Sequence, residues 1–414
     1  MTDRPGNRPL RIFLSAGEHS GDAHGAALAR RLRERVPDVR LEGLGGPLMR
    51  AEGVELMLDL VEHAAMGLIP VLKKGTFFLS VLRDAQARLA ADPPDLVVPI
   101  DYPGLNLRLS RRARAVGVPV CFYVSPQVWA WRPGRIHKIA RSVDHMMLLF
   151  PFEKPLYDQA GVPCTVVGHP LFDELRLRRP SPAFRDGLGL DPATPLVGLL
   201  PGSREHEVRN NLPLELAAAR RVREGEPSVR FAIPVAKPSL QPLIEACCAE
   251  YPELDVAILP GKASDVARVS RAAISVSGTA TLELLHYQCP TVVVYRLGRA
   301  QEWLKRRLLT TKYITLVNVL AGREVYPEFA TARDCAAEVA ERALGFLRPG
   351  RARKRCLAQM KNVLREVDLK GSHGLAADTV LRVARAARAG EVTVEGSPSI
   401  APLPSAEGER SDLR

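Results

Sequence analysis

Apolar residues along this chain fall mostly in short continuous runs, not in strict alternation. Residues 10–16, 40–45, 54–60, 95–101, 118–124, 144–150 and 164–167 predict strands in the first half, and residues 195–201, 229–235, 256–259, 272–276 and 291–295 predict them in the second. Runs of this kind, bounded by Gly, Pro, Ser and Asp, suit strands covered on both faces, as in parallel sheets. Helix-like spacing fills the intervals, and the alternation predicts an α/β chain with a parallel sheet in each half. Helices are expected again over 332–347, 351–367 and 374–387. An Arg- and Pro-rich stretch, 176–194, separates the halves. The polar residues 1–9 and the Ser/Pro/Gly/Glu-rich residues 390–414 predict disordered ends.

Length supports the division, because 414 residues exceed the roughly 250–300 at which single cores stop growing. The expected domains are 10–175 and 195–350, followed by C-terminal helices over 351–388. Seven cysteines without zinc-like or C-x-x-C spacing suit a reducing compartment. The N-terminus has no apolar signal region, and no run reaches the ~20 residues of a membrane span, so a cytoplasmic or peripheral protein is expected. A net charge of +12 suggests a polyanionic partner: nucleic acid, an anionic membrane or a phosphorylated substrate. The basic residues sit mostly at helical spacing without interleaved aromatics, which argues against a nucleic-acid reader.

Candidate chemistry lies in the turns that leave the strands, the ligand side of an open parallel sheet. Ser277-Gly278-Thr279 opens a helix whose start suits an anion; Ser277 and Thr279 are placed to cap it, and Gly278 permits close backbone approach. Glu283 lies one turn further along and suits a ribose, or is simply solvated. Gly202, Ser203 and Arg204 repeat the theme, with a guanidinium fork suited to a diphosphate. Gly17, Glu18 and Ser20 follow the first strand. Asp101 ends the strand 95–101, either facing the ligand or capping the next helix. Gln127 and Trp129 stand in a post-strand loop. Residues 66–82 are unusually apolar around Lys73 and Lys74, with Pro70 and Gly75 expected to break regular structure. Met66, Leu68, Phe77, Phe78 and Leu79 are candidates for membrane or acyl contact, or for packing on the sheet.

Taken together, Ala16-Gly-Glu-His-Ser-Gly-Asp22, Ser125-Pro-Gln-Val-Trp-Ala-Trp131, Leu200-Pro-Gly-Ser-Arg204, Ser277-Gly-Thr-Ala-Thr-Leu-Glu283 and Asn318-Val-Leu-Ala-Gly-Arg323 resemble the lipid-A-disaccharide synthase family, over about residues 10–387. The resemblance implies a glycosyltransferase-B fold: two Rossmann-like domains facing a cleft, with the C-terminal helix crossing back to the first. It implies an inverting transfer that joins UDP-2,3-diacylglucosamine to 2,3-diacylglucosamine 1-phosphate at the cytoplasmic face of the inner membrane. It also implies Asp101 as the catalytic carboxylate, and Arg204, Glu283 and Asn318 as donor-nucleotide residues. No cofactor, metal or nucleic acid is expected; no Asp-x-Asp pair occurs. His19 and Pro70 depart from the family pattern, which generally has a small residue and Glu there. A UDP-sugar 2-epimerase of the same fold and a non-catalytic basic binding protein are the competing readings. The apolar stretch 66–82 speaks against the epimerase.

Overall fold

The computed structural model describes residues 8–61, 71–129, 133–179, 184–191, 193–298, 302 and 312–391. The chain forms two compact units, Met1–Val167 with Gly371–Arg414, and Gly168–Lys370.

The first unit is built on seven parallel strands: β1 Arg11–Ala16, β2 Arg40–Gly45, β3 Glu55–Asp59, β4 Leu96–Ile100, β5 Cys121–Tyr123, β6 His145–Leu148 and β7 Cys164–Val166. Their order is β3-β2-β1-β4-β5-β6-β7. The order reverses between β1 and β4, so the switch point of an open α/β sheet lies between their carboxyl ends. Pairing between β4 and β5 consists of Ile100↔Tyr123 and the bridge Val97↔Val120. The gap coincides with Pro99, which has no N–H to offer. Phe13, Leu82, Val97, Leu109, Phe122 and Met146 belong to one hydrophobic core cluster of this unit.

The last helix, Ser372–Arg388, belongs to the first unit although it follows the second in sequence. Its anchor is Asp95, whose side chain is almost fully buried. Arg388 grips that carboxylate with Nη2 at 2.6 Å and Nε at 3.1 Å, and the Arg11 amide donates to it at 2.8 Å. A two-pronged contact of this kind fixes direction as well as supplying charge.

The second unit has six parallel strands: β8 Leu196–Leu200, β9 Arg230–Val235, β10 Val256–Pro260, β11 Ala272–Ser275, β12 Thr291–Arg296 and β13 Glu328–Thr331. Their order, β10-β9-β8-β11-β12-β13, reverses between β8 and β11. The unit starts at Gly168, earlier than the expected linker, because the helix Pro170–Leu177 packs here: Phe172 is fully buried with its ring centroid 6.2 Å from that of His286. The helix Arg351–Val367 also belongs to this unit.

Two local expectations change. Gly75 does not interrupt structure; it lies inside the helix Val71–Ala91, where one glycine costs only about 1 kcal/mol relative to Ala. The segment after Leu316, for which the sequence predicts no element, contains the helix Leu316–Ala321 and then β13.

Candidate functional site

In the first unit, three loops leave the adjacent strands β1, β4 and β5, and those after β4 and β5 carry unusual backbone. Asp101 and Tyr102 have φ of 50° and 45°, and Val124 has 69°. Left-handed backbone costs a non-glycine residue about 1–2 kcal/mol. Such outliers cluster where the surrounding structure imposes a special geometry, commonly at functional sites. Gly17 meets this region directly: a Cβ there would lie 2.3 Å from the Tyr102 ring. Only glycine lets the β1 turn close on the β4 turn.

Asp101 is not the cap of the next helix. Tyr102 holds the N-cap position of Pro103–Ala115, and no side chain caps it. The Asp101 carboxyl is largely buried, and desolvation raises its pKa from the ordinary aspartate value, opposed only in part by the Tyr102 amide. A carboxylate made more basic by burial suits proton abstraction. Glu18 and Ser20 are exposed; burial, and secondarily the charge of Glu18, raises the pKa of the Tyr102 phenol. Asp22 of the same motif is structural: its buried carboxylate accepts from the amides of Gly46, Leu48 and Met49 at 2.9–3.0 Å.

The loop after β5 exposes Gln127 and buries Val128 in the core, while Trp129 packs edge-on against Phe152 at 5.2 Å. Behind it, Ser125 and Tyr157 share a 2.7 Å hydrogen bond, and burial pushes the Glu153 carboxyl up to about 7. Of the candidate acyl contacts, Phe77 and Phe78 pack against the core, and Phe78 lies 6.2 Å from the Tyr102 ring. Leu79 points outward and is 55% exposed. Met66 and Leu68 lie outside the described residues, as does Trp131.

In the second unit, the turns after β8 and β11 flank the switch point, but the first does not present its amides as the expected donors. Glu207 reaches back from the helix Glu205–Gly225 and accepts from the Ser203 and Arg204 amides at 3.0 and 3.2 Å. This is the reach-back of a capping box, so those two amides are occupied. Gly202, at φ 115°, is required because a Cβ would meet Glu207 at 2.6 Å. The other Glu207 oxygen holds Arg204 Nη1 at 2.8 Å, while the Arg204 side chain stays 68% exposed. The guanidinium is thus the anion-facing group of this turn.

Ser277 and Thr279 do not cap the helix Ala280–His286. Ser277 Oγ donates instead to the Ile314 carbonyl at 2.7 Å, leaving Gly278 and Thr279 exposed. Glu283 is mostly buried, and desolvation raises its pKa against the opposing charge of Arg178. Ser264 Oγ links the two, donating to Glu283 at 3.1 Å and accepting from Arg178 at 2.5 Å. Neither Ser264 nor Arg178 carried any signal in the sequence.

Asn318 is fully buried. Its Nδ2 donates to the Tyr326 carbonyl and to Glu328, both at 2.7 Å, and its Oδ1 accepts from the Val325 and Tyr326 amides at 2.8 and 2.9 Å. Its polar capacity is therefore filled by the protein. Glu328 also accepts from the Ile314 and Thr315 amides at 2.8 and 3.0 Å. Asn318 and Glu328 together set the segment whose Ile314 carbonyl holds Ser277. Among the described residues, no group of three or more His, Cys, Asp or Glu side chains is placed to hold a metal ion.

Comparison with known proteins identifies the family. A family model described as Lipid-A-disaccharide synthetase matches residues 12–371. Lipid-A-disaccharide synthase of Trichlorobacter lovleyi is 42% identical over 340 residues, covering 80% of this chain and 88% of that protein. Two solved structures share the fold at low identity. The calicheamicin glycosyltransferase CalG4 has a TM-score of 0.54 at 16% identity, covering 91% of this chain and 98% of that one. The UDP-GlcNAc 2-epimerase of Neisseria meningitidis, bound to UDP-GlcNAc, has 0.53 at 11% identity, covering 91% and 99%. Fold likeness alone does not separate transferase from epimerase, whereas the family model does. The chain belongs to the lipid-A-disaccharide synthase family, glycosyltransferases that form the disaccharide of lipid A.

Proposed function

We propose that this enzyme joins UDP-2,3-diacylglucosamine to 2,3-diacylglucosamine 1-phosphate, giving the β-1,6-linked lipid A disaccharide 1-phosphate and UDP. Asp101 takes the proton of the acceptor's primary hydroxyl. The hydroxyl oxygen attacks the anomeric carbon of the donor, the bond from that carbon to the diphosphate breaks, and its electron pair leaves with UDP. Arg204 meets the charge that grows on the departing diphosphate. Gly202, Ser203, Ser277, Gly278 and Thr279 line the nucleotide's approach, and Glu283 accepts from its ribose. Asn318 serves from behind, by holding the segment that carries Ile314. Gly17, Glu18, Ser20, Gln127 and Trp129 border the acceptor.

The observation that carries this reading is the desolvated Asp101 carboxylate at the β1/β4 switch point, on a strained turn that does not use it as a cap. Radiolabelled diacylglucosamine 1-phosphate, incubated with its UDP derivative and the enzyme, should yield a labelled disaccharide. Epimerisation of UDP-N-acetylglucosamine without disaccharide formation would reverse the assignment.

Peripheral action at the cytoplasmic surface of the inner membrane is part of the same proposal. Among the described residues, no helix is long and apolar enough to cross a membrane, while Leu79 presents an exposed apolar side chain one residue from Phe78, which touches Tyr102. Leu79→Ser should weaken co-sedimentation with anionic liposomes without unfolding the protein; undiminished sedimentation would remove Leu79 from the contact.

A further inference from the structure

The left-handed turn that carries Asp101 needs something to hold it, and the structure shows one buried side chain at its centre. Asn106, on the first turns of Pro103–Ala115, is fully buried. Its Nδ2 donates to the carbonyls of Asp101 at 2.7 Å, Ile100 at 3.0 Å and Ser15 at 3.2 Å. Its Oδ1 accepts from Ser15 Oγ at 2.8 Å. Ser15 is the penultimate residue of β1, two positions before Gly17, which closes on Tyr102. One amide thus spans the switch point, binding the end of β1 to the end of β4 and the residue that follows.

The chemistry of the amide matters here. Converging carbonyl oxygens need a donor, and Ser15 needs an acceptor; an Asn side chain supplies both in one plane. An Asp would offer no donor when ionised, and an apolar residue would leave the buried carbonyls without this partner. Tyr102 precedes Pro103, a position ordinarily biased toward extended backbone, so local preference opposes the observed turn.

We propose that Asn106 is a positioning residue for the glycosyl transfer: it holds the Asp101–Tyr102 turn left-handed and tied to β1, so that the Asp101 carboxylate is presented to the acceptor hydroxyl. The inference rests on Asp101 being the base. A role in holding geometry predicts loss of kcat without loss of donor affinity, because nucleotide binding belongs to residues of the second unit.

The test compares Asn106→Ala, Ser15→Ala and Asp101→Asn as full-length proteins, measuring kcat, calorimetric UDP affinity and the pH dependence of kcat/KM. Asn106→Ala should lower kcat on the order of 10–100-fold, leave UDP affinity unchanged, and move the acidic limb of the pH profile to lower pH as water reaches the carboxylate. Ser15→Ala removes only the bond that orients the amide, and should lower kcat a few-fold in the same pattern. A folded Asn106→Ala enzyme with wild-type kcat and pH profile overturns the inference. Should Asn106→Ala fail to fold, Ser15→Ala decides: a lowered kcat with a shifted limb supports the role, and wild-type behaviour overturns it. Full activity in Asp101→Asn removes the base assignment and this inference together. An inactive Asp101→Asn beside a wild-type Asn106→Ala removes the positioning role alone.

Discussion

The two units share one sheet plan and place their chemistry at the same point of it, yet they build the sites in opposite ways. In the first, the turns after β1 and β4 close on each other: Gly17 abuts the Tyr102 ring, Asp101 and Tyr102 are left-handed, and the Asp101 carboxylate is largely buried. In the second, Arg204, Gly278 and Thr279 are exposed, and carboxylates of the protein itself, Glu207 and Glu328, do the holding from behind. The contrast suits the roles proposed for the two sites. A base gains strength from desolvation, whereas a diphosphate needs an accessible cation that is already oriented when the ligand arrives.

The comparison breaks most visibly at Asp101. Asp101→Asn is nearly isosteric and leaves the backbone hydrogen bonds available, so turnover should fall by roughly 10²–10⁴ while UDP affinity, measured by calorimetry, stays at the wild-type value. Arg204→Lys keeps the charge but loses the fork that serves Glu207 and a diphosphate at once. Turnover in that variant should drop on the order of 10–100-fold, less than the 10²–10³ seen on removing a transition-state donor altogether; unchanged turnover would show that the fork is not used.

Glu283→Ala should act on binding alone, weakening UDP by about 1.5–3 kcal/mol, the worth of a hydrogen bond to a charged group. Because burial raises the Glu283 pKa and the ionised form is the better acceptor, UDP affinity in the wild type should decline as pH falls through that raised value. The decline should vanish in Glu283→Ala. Equal UDP affinity in the two proteins at neutral pH would exclude the ribose contact.

Most strands were legible because their buried runs are continuous: Leu96-Val-Val-Pro-Ile100 and Thr291-Val-Val-Val-Tyr-Arg296 can hardly be read otherwise. The edge strand β13 was not, since Glu-Phe-Ala-Thr is four half-exposed residues without an apolar run. At the sites, residue types were readable but their states were not. Asp101 could be a base or a cap until the N-cap position fell on Tyr102, a residue whose place before Pro103 disguises the turn. Glu207 could have been found, because a Glu three residues after an N-cap is the spacing of a capping box. Asn318 could not, because Leu-Val-Asn-Val-Leu-Ala carries no mark of which side chain turns inward. Its burial depends on partners eight and ten residues away, Tyr326 and Glu328.

If a desolvated Asp101 is the base of the glycosyl transfer, the pH dependence of kcat/KM must carry its titration. A base works only when ionised, so activity must be lost as pH falls through its pKa, and burial raises that pKa. The wild-type enzyme should show an acidic limb displaced upward from the ordinary aspartate value, and the residual activity of Asp101→Asn should lack it. The same limb persisting unchanged in Asp101→Asn would contradict that role.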